Sequence, residues 1–256
     1  MRSVALAAGP AAAEISYAGS STIGLVLMPD AARAFTLRTG IPFGSVEIQG
    51  TGRGIEMVAR GEAPLAGASR ALTATEKKAG LRYQIIGYDA VGVYVNALNR
   101  VQSVTRPQLK DVFTGGITNW KELGGQDARI VVLTAKIARR GGQSVEFQAH
   151  VLNGLPYRAD RREITGGQTE LAAALVAEPH GINTVSPAFA RPGMKAIALE
   201  GFHPTLENVR SGAYVLSRPL VLVAPPHPTP EVRRFLDFML GAEGQAIVAR
   251  HFVSLH

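Results

Sequence analysis

Four short stretches of the sequence carry side chains suited to holding an anion. Their letters and positions are SST (20–22), GTGRG (50–54), ASR (68–70) and ARRGGQSVEF (138–147). Hydroxyl groups and the backbone N–H groups of glycine turns donate hydrogen bonds, and arginine adds a charge with two-pronged geometry. Each stretch alone also suits an ordinary turn, a helix cap or a surface ion pair. Their chemistry becomes informative only if the fold brings them together.

The first three stretches lie where a strand passes into a helix or a loop. In GTGRG, three glycines in five residues exceed what a plain turn needs, and Ile55 stands where a dinucleotide-binding fingerprint has its last glycine. Ser69 and Arg70 follow a short apolar strand, at the end of the strand where open α/β sheets bind ligands. These positions predict a concave anion site lined by donors. The alternative for Arg70 is a surface salt bridge.

No arrangement of residues favours catalysis or metal binding. The six histidines show neither HExxH nor zinc spacing, no segment matches a P-loop, and the chain has no cysteine. GASRA, which contains Ser69, lacks the closing glycine of a serine-hydrolase elbow. Glu146, Glu163 and Glu170 are isolated carboxylates rather than an acid/base pair. We predict a protein that is not an enzyme, with no catalytic residue, metal ion or cofactor.

The elements that would position the donor-rich stretches alternate between strand and helix. EISYAG (14–19) alternates in polarity as a strand does, and apolar residues from Leu25 to Phe35 then recur at helical spacing. Further strands are predicted at 45–50 and 63–69, with a helix between them. This alternation predicts an α/β fold with a largely parallel sheet.

Two later segments read as crossings between halves of the chain. Residues 83–96 are rich in Ile, Val and Tyr and predict a strand that leaves the first region, and residues 212–226 predict a strand that returns to it. The last segment predicts a terminal helix or helix pair, with these residues on one face: Val232, Phe235, Leu236 and Met239. We therefore predict two α/β lobes with a ligand cleft between them.

The predicted division places lobe 1 at residues 15–92 and 200–256, and lobe 2 at residues 93–199. Residues 1–14 are either the remnant of a secretory signal or simply an Ala-rich N-terminus, and we favour the first. No later segment has the uninterrupted apolar length of a membrane span.

The composition narrows the class of partner. Hydrophobic residues make up 46% and charged residues 18% of 256 residues, which excludes a mainly disordered chain. A net charge of +7, mostly from arginine, favours acidic partners. Aromatic residues are only 6%, and no nucleic-acid-binding motif is present, so we predict no binding to nucleic acid. The absence of cysteine fits a bacterial envelope protein.

Six segments, in the same order along the chain, resemble the PstS-like branch of periplasmic solute-binding proteins, the phosphate-binding components of ABC importers. They are YAGSSTI (17–23), GTGRGI (50–55), AGASRALTATE (66–76), LKDVFTGGITNWKELGG (109–125), SGAYVLSRPLVLV (211–223) and FLDFMLGAEGQAIV (235–248). The resemblance implies a two-lobed type II periplasmic-binding-protein fold, of α/β class, that closes around an oxyanion held in the cleft.

Carried over by position, the resemblance implies these ligand contacts in lobe 1: Ser21, Thr22, Thr51, Gly52, Arg53, Ser69 and Arg70. Many relatives have an Asp, which accepts the proton of hydrogen phosphate, where this chain has Arg70. In lobe 2 relatives usually carry an Arg followed by Ser-Gly-Thr, but alignment on Phe147 places Ile137 and then Gly141 to Gln143 there. The expected contacts from lobe 2 are Arg140, Gly142, Gln143 and Ser144.

The resemblance implies an extracytoplasmic, monomeric receptor that captures phosphate or a related oxyanion and delivers it to ABC permease subunits. The altered lobe-2 stretch leaves an alternative open. Glycines in place of hydroxyl residues leave more room, so the same fold would then serve as a sensor, as a partner-binding protein, or as a receptor for a larger anionic organic ligand.

Overall fold

The computed structural model of the chain describes residues 14–136 and 142–256. Its strands are β1 Ile15–Gly19, β2 Phe43–Glu47, β3 Ala66–Ala68, β4 Arg82–Ala90, β5 Gly92–Asn96, β6 Ser103–Val104, β7 Val131–Ala135, β8 Arg162–Ile164, β9 Gly181–Val185, β10 Met194–Ala196, β11 Ala198–Leu199 and β12 Ser217–Ala224. Its α-helices are α1 Met28–Thr39, α2 Thr51–Ala59, α3 Ala74–Lys78, α4 Arg106–Thr114, α5 Gly142–His150, α6 Gln168–Val176, α7 Leu206–Arg210, α8 Pro230–Leu240 and α9 Ala242–Ala249. A π-helical segment, Thr22–Leu27, joins β1 to α1.

The strands form two five-stranded sheets, and each sheet defines one lobe. In lobe 1 the order is β2-β1-β3-β12-β4, with β1 parallel to β2 and β3, and β12 antiparallel to its two neighbours. In lobe 2 the order is β10-β5-β9-β7-β8, with β7 parallel to β8 and β9. The predicted α/β fold with two lobes is confirmed. Parallel strands end at the same edge of a sheet, so the loops after β1 and β3 must meet.

The chain crosses between the sheets twice, and the two crossings are hydrogen-bonded to each other. Val91 lies between β4 and β5, and its N–H donates to the carbonyl of Leu216 at 2.8 Å. The Tyr214 hydroxyl donates to the carbonyl of Val91 at 2.8 Å. Tyr214 and Leu216 also pack in the hydrophobic core of lobe 2. The predicted lobe boundaries stay a prediction, and these contacts favour a return to lobe 1 after Leu216.

Each lobe has an aromatic centre in its core. In lobe 1, Phe35 of α1 meets Phe235 and Phe238 of α8 with ring centroids 5.2 and 5.6 Å apart, in edge-on geometry. In lobe 2, Phe113 of α4 packs on Phe147 of α5 at 4.7 Å. These contacts pack the helices of each lobe against one another.

The terminal helices follow the predicted pattern. The sequence predicted an apolar face in the last segment, and in α8 the side chains of Val232, Phe235 and Met239 are buried, while Leu236 is partly buried. The helix begins at a Thr229 cap whose hydroxyl accepts a hydrogen bond from the Val232 N–H. Among the described residues, no helix is long and apolar enough to cross a bilayer.

Candidate functional site

Three loops of lobe 1 meet at the carboxyl ends of β1 and β3. Ser20 follows β1, and its N–H donates to the carbonyl of Gly67 in β3 at 2.9 Å. The Gly50 N–H donates to the last carbonyl of β1 at 2.9 Å, which brings the start of α2 to the same edge. The Ser69 N–H, after β3, donates to Thr51 Oγ1 at 3.2 Å. The three stretches predicted in this lobe are therefore neighbours in space.

Two glycines of the GTGRG stretch make this approach possible. Gly50 has a φ of +80°, a left-handed conformation that disfavours side chains. A Cβ added at Gly54 would lie 2.5 Å from the carbonyl oxygen of Ala18 in β1. Helix α2 can lie this close to β1 only because residue 54 has no side chain.

The loops bury a group of hydroxyl side chains, which we call the hydroxyl pocket and define as Thr22, Thr51 and Ser69. Their exposed fractions are 0%, 2% and 4%. Ser21 is half-buried, and its Oγ lies 3.7 Å from the position that a Cβ on Gly167 of lobe 2 would occupy. Buried hydroxyls require hydrogen-bond partners, so the contacts of this pocket decide what it can bind.

A buried ion pair lies behind the hydroxyl pocket. Arg218 of β12 donates to Asp89 Oδ2 of β4 through Nε at 3.1 Å and Nη2 at 2.7 Å. The same guanidinium donates to Thr22 Oγ1 at 3.1 Å and to Ser69 Oγ at 3.3 Å. Only 1% and 2% of the Arg218 and Asp89 side chains are exposed. Arg218 thus links two of the predicted loops to the antiparallel strand of the sheet.

Asp89 is the carboxylate of this network, and the hydrogen bonds of its side chain come from Ser186 and Arg218. Burial raises the pKa of Asp89, while the charge of Arg218 and the hydroxyl of Ser186 oppose that rise. Ser186 Oγ donates to Asp89 Oδ1 at 2.7 Å. Because the guanidinium compensates the carboxylate, the pair adds little net charge to the pocket.

Lobe 2 reaches the same pocket through one amide side chain. Gln168, at the start of α6, donates from Nε2 to Thr22 Oγ1 at 2.6 Å, and its Oε1 accepts from the Ser186 N–H at 2.6 Å. Since Ser186 also contacts Asp89, the two lobes are joined by a continuous hydrogen-bonded network. The cleft is closed at this point.

The start of α5 also faces lobe 1. Glu146, in the second turn of α5, accepts from the Ala71 N–H at 3.2 Å and pairs with His150 Nε2 at 2.9 Å. The N-terminal half of α5 therefore contacts the loop that follows β3. An α-helix begins with unpaired N–H groups, which favour an anion.

The sequence-predicted residues of lobe 2 fall in and around the first turn of α5. Arg140 lies outside the described residues, and so does the side chain of Gln143. Gly142 is the first residue of α5. The carbonyl of Ser144 accepts from the Tyr157 hydroxyl at 3.1 Å.

The two predicted arginines of lobe 1 are engaged by carboxylates of the same lobe. Arg70, with 2% of its side chain exposed, makes a two-pronged contact with Glu76 at 2.7 and 2.8 Å. Burial acts to raise the pKa of Glu76, but the hydrogen bonds from Arg70 and Thr73 and the charge of Arg70 outweigh it, and the pKa is lowered. Arg53 lies 3.4 Å from Glu62 and 3.8 Å from Glu56 at the surface. The alternative predicted for Arg70 was a salt bridge at the surface, but its salt bridge with Glu76 is buried.

Sequence reasoning missed four residues of this network: Asp89, Gln168, Ser186 and Arg218. Two of them left a signal. Asp89 lies within the apolar strand stretch 83–96, and Arg218 lies within SGAYVLSRPLVLV. A charged residue inside a buried strand must find a partner, so such a pair on neighbouring strands marks a buried ionic site. Gln168 and Ser186 left no comparable pattern.

With this geometry established, the chain can be placed among known proteins. It belongs to the PBP superfamily, because residues 5–243 match the family model described as a PBP superfamily domain. The resemblance to PstS-like phosphate-binding proteins and the two-lobed fold are both confirmed.

Individual relatives support this placement. A crystal structure from Clostridium perfringens, described as a putative phosphate ABC transporter substrate-binding protein with bound phosphate, is 32% identical, covers 95% of this chain and 100% of its own, and has a TM-score of 0.89. An ABC-type phosphate transport receptor from Vibrio cholerae shares the fold at a TM-score of 0.78, with 24% identity, 94% of this chain and 100% of its own covered. Phosphate-binding protein PstS of Borreliella burgdorferi is 24% identical over 246 residues, which cover 91% of this chain and 87% of that relative.

Proposed function

We propose that this chain is a solute-binding protein that holds phosphate in the cleft between its lobes. The observation that carries the proposal is the hydroxyl pocket, in which three buried hydroxyls from three different loops converge at the carboxyl edge of one sheet. A dehydrated oxyanion must recover many hydrogen bonds, and converging donors supply them. The similarity to the clostridial protein with bound phosphate supports this ligand.

The electrostatics of the pocket favour an anion. The buried carboxylate behind it, Asp89, is compensated by Arg218 at 2.7 Å. The π-helical segment and α2 both begin beside the pocket, at Thr22 and Thr51, and helix starts carry partial positive charge. A ligand with two negative charges and four oxygens fits this environment better than a neutral or cationic one.

The proposed ligand set combines both lobes. From lobe 1 it comprises Ser21, Thr22, Thr51, Ser69 and the backbone at Gly52. From lobe 2 it comprises Arg140, Gly142, Gln143 and Ser144. The contact between Glu146 of α5 and the Ala71 N–H supports this half, because it joins α5 to the loop that follows Ser69 and Arg70. Within this proposal, Arg70 holds the loop after β3 in place through Glu76, and Arg53 adds positive charge in α2.

The proposal extends to the setting of the protein. Two solved relatives are described as parts of phosphate ABC transport and a third as periplasmic, and these descriptions support delivery of phosphate to ABC permease subunits outside the cytoplasm. We further infer that the chain acts as a monomer. Stimulation of the ATPase of a cognate permease in proteoliposomes, by the phosphate-loaded but not the phosphate-free protein, tests the delivery of phosphate. Equal rates with both forms would contradict it.

Titration calorimetry of the full chain with phosphate, sulfate and methylphosphonate tests the ligand. We expect phosphate to bind, and Ser69→Ala and Thr51→Val to weaken binding by about tenfold or more each, because each removes a donor to a charged ligand. Ser103→Ala, at an exposed position of β6, is the matched control and should leave the affinity unchanged.

Three outcomes would count against the proposal. Failure of all three anions to bind would reject an oxyanion receptor. Methylphosphonate binding much more tightly than phosphate would favour a receptor for an organic phosphonate. Unchanged affinity in Ser69→Ala and Thr51→Val would place the site elsewhere.

A further inference from the structure

The hydroxyl groups of the pocket are all used as acceptors by the protein itself. A hydroxyl has one hydrogen to donate and two lone pairs that accept. Ser69 Oγ accepts from Arg218 Nη1 at 3.3 Å, and Thr51 Oγ1 accepts from the Ser69 N–H at 3.2 Å. Guanidinium and backbone N–H groups can only donate, so these directions are certain. Within the described part of the chain, no acceptor takes the hydrogen of either hydroxyl.

Thr22 shows the same arrangement with both lone pairs occupied. Its Oγ1 accepts from Arg218 Nη2 at 3.1 Å and from Gln168 Nε2 at 2.6 Å. The orientation of the Gln168 amide is set by Ser186, because a backbone N–H 2.6 Å from the amide must face its oxygen. The nitrogen of that amide therefore faces Thr22. The Thr22 hydrogen has no acceptor among the described residues and is left for a ligand.

We propose that Arg218 is a positioning residue that determines specificity. Together with Gln168 it occupies both lone pairs of the Thr22 hydroxyl, which can then only donate its hydrogen to the ligand, and it also occupies one lone pair of the Ser69 hydroxyl. The inference rests on the proposed function. It adds that the pocket binds those oxygen atoms of the ligand that carry no hydrogen. Asp89 accepts from two nitrogens of the guanidinium, which leaves other N–H groups to donate to Thr22 Oγ1, to Ser69 Oγ and, at 3.5 Å, to the Ser69 carbonyl. Lysine has no planar fork and cannot reach all three partners at once.

The arrangement discriminates between protonation states of one ligand. Hydrogen phosphate offers three oxygens that only accept, whereas dihydrogen phosphate offers two. A P–OH group turned towards the Thr22 hydroxyl finds both lone pairs of its oxygen occupied, so two hydrogens face each other, and a buried donor without an acceptor is costly. The affinity for total phosphate should therefore rise as the pH rises through the second pKa of phosphate. Sulfate does not titrate in that range. If the protein binds sulfate, its affinity for sulfate is the reference for any pH effect on the protein itself.

A double-mutant cycle tests whether Arg218 acts through the hydroxyl. Thr22→Val removes the hydroxyl at nearly constant shape, and Arg218→Lys keeps a positive charge beside Asp89. We expect each single variant to weaken phosphate binding by about tenfold or more. In the double variant we expect the loss of phosphate affinity to be clearly smaller than the product of the two single losses. Once Thr22→Val has removed the hydroxyl, Arg218 can no longer act through it.

The matched control is Arg158→Lys. Arg158 is a buried arginine of lobe 2, paired with Asp160 at 2.6 Å and distant in sequence from every residue of the pocket. It should leave phosphate affinity and its pH dependence unchanged. In Arg218→Lys the freed lone pairs can accept a P–OH hydrogen, so the rise of affinity with pH should become shallower than in the wild type.

The outcomes separate this inference from the proposed function. No oxyanion binding by the wild type would reject the proposed function itself. Two results with a wild type that binds phosphate would overturn the role of Arg218. One is a double variant whose loss of affinity equals the product of the two single losses, and the other is an unchanged pH dependence of affinity in Arg218→Lys. If Arg218→Lys fails to fold by circular dichroism, Gln168→Leu replaces it in the cycle with Thr22→Val. That change removes the other N–H donor to Thr22 and leaves both residues of the buried ion pair unmutated. Effects on affinity that simply multiply there would overturn the inference that occupied lone pairs orient the Thr22 hydroxyl.

Discussion

Replacing Glu76 by glutamine would show what Arg70 does in this protein. The Glu76 carboxylate accepts from Arg70 Nη1 at 2.7 Å, from Arg70 Nη2 at 2.8 Å and from the Thr73 N–H at 2.8 Å. The two side chains of the pair are 2% and 9% exposed. Glutamine can still accept from the Thr73 N–H, as it does in a capping box. The substitution therefore removes the charge and leaves the start of α3 intact.

The expected loss of stability is large. Removing one partner of a buried ion pair costs about 3–5 kcal/mol, because the remaining charge stays buried without compensation. Arg70 has no other carboxylate within reach among the described residues, and its Nε is already without a partner there. A loss of 1 kcal/mol lowers Tm by about 2–4 °C in a chain of this size, so we expect Tm to fall by about 6–20 °C.

Urea unfolding followed by circular dichroism measures this loss. Glu56→Gln is the matched control, since Glu56 is 42% exposed and lies 3.8 Å from Arg53. An exposed pair contributes less than about 1 kcal/mol. A loss in Glu76→Gln as small as that of the control would refute the reasoning. A large change in phosphate affinity with no loss of stability would show instead that Arg70 serves the ligand directly.

The ion pair between Arg70 and Glu76 also predicts how stability depends on pH. The pKa of Glu76 is lowered in the folded protein, so its ionised form contributes stability that is fully present above its unfolded pKa of about 4.3. That contribution is lost as the pH falls through the folded pKa. We therefore expect the wild type to lose more stability than Glu76→Gln between pH 5 and pH 3, a range of about two units around the unfolded pKa. Parallel curves would contradict this.

Three further substitutions test the framework of the site. Gly54→Ala places a Cβ 2.5 Å from a β1 carbonyl oxygen, and we expect it to lower the free energy of unfolding by about 1–3 kcal/mol and to weaken phosphate binding. Its control is Gly241→Ala, where the nearest atom to an added Cβ is 3.4 Å away, and the loss in the same melts should be less than about 1 kcal/mol. Ser186→Ala removes a 2.7 Å donor to Asp89 and should lower the free energy of unfolding by about 1.5–3 kcal/mol in urea, and an unchanged value would show that the bond is dispensable. Trp120→Phe loses a buried N–H bond of 3.0 Å inside lobe 2 and should destabilise by about 1–3 kcal/mol, while calorimetry should show unchanged phosphate affinity.

Local patterns in the sequence predicted the framework well. The segment from Leu25 to Phe35, with helical spacing, forms the π-helical segment and most of α1, and the apolar stretch 63–69 contains β3. These elements follow from periodicity and from turn residues, both of which act over a few positions. The donor-rich loops were found for the same reason, since each is a short stretch of hydroxyl and glycine residues.

The partners of charged residues could not be predicted in this way. Arg218 and Asp89 are 129 positions apart, and they meet because β12 inserts antiparallel between β3 and β4. Gln168 and Thr22 are 146 positions apart and lie in different lobes. No local pattern encodes a contact that depends on strand order and on closure of the cleft.

The prediction for the stretch ARRGGQSVEF can be compared only with the described residues at its C-terminal end. The sequence predicted that it presents the anion loop of lobe 2. In the described part, α5 begins at Gly142, and its Glu146 accepts from the Ala71 N–H in the loop that follows β3. The contacts of Arg140 with a ligand stay a prediction, because that residue lies outside the described range.

The sequence by itself determined the α/β class, the two lobes and the placement of hydroxyls at the ends of strands, because periodicity and turn chemistry are local properties. The tertiary structure decided what each arginine does. Arg70, predicted as a ligand contact, has a buried carboxylate partner six positions away, and Arg218, which no motif singled out, faces the hydroxyls. A buried charge is directed by the nearest group that can compensate it, and that group is known only once the strands are in place.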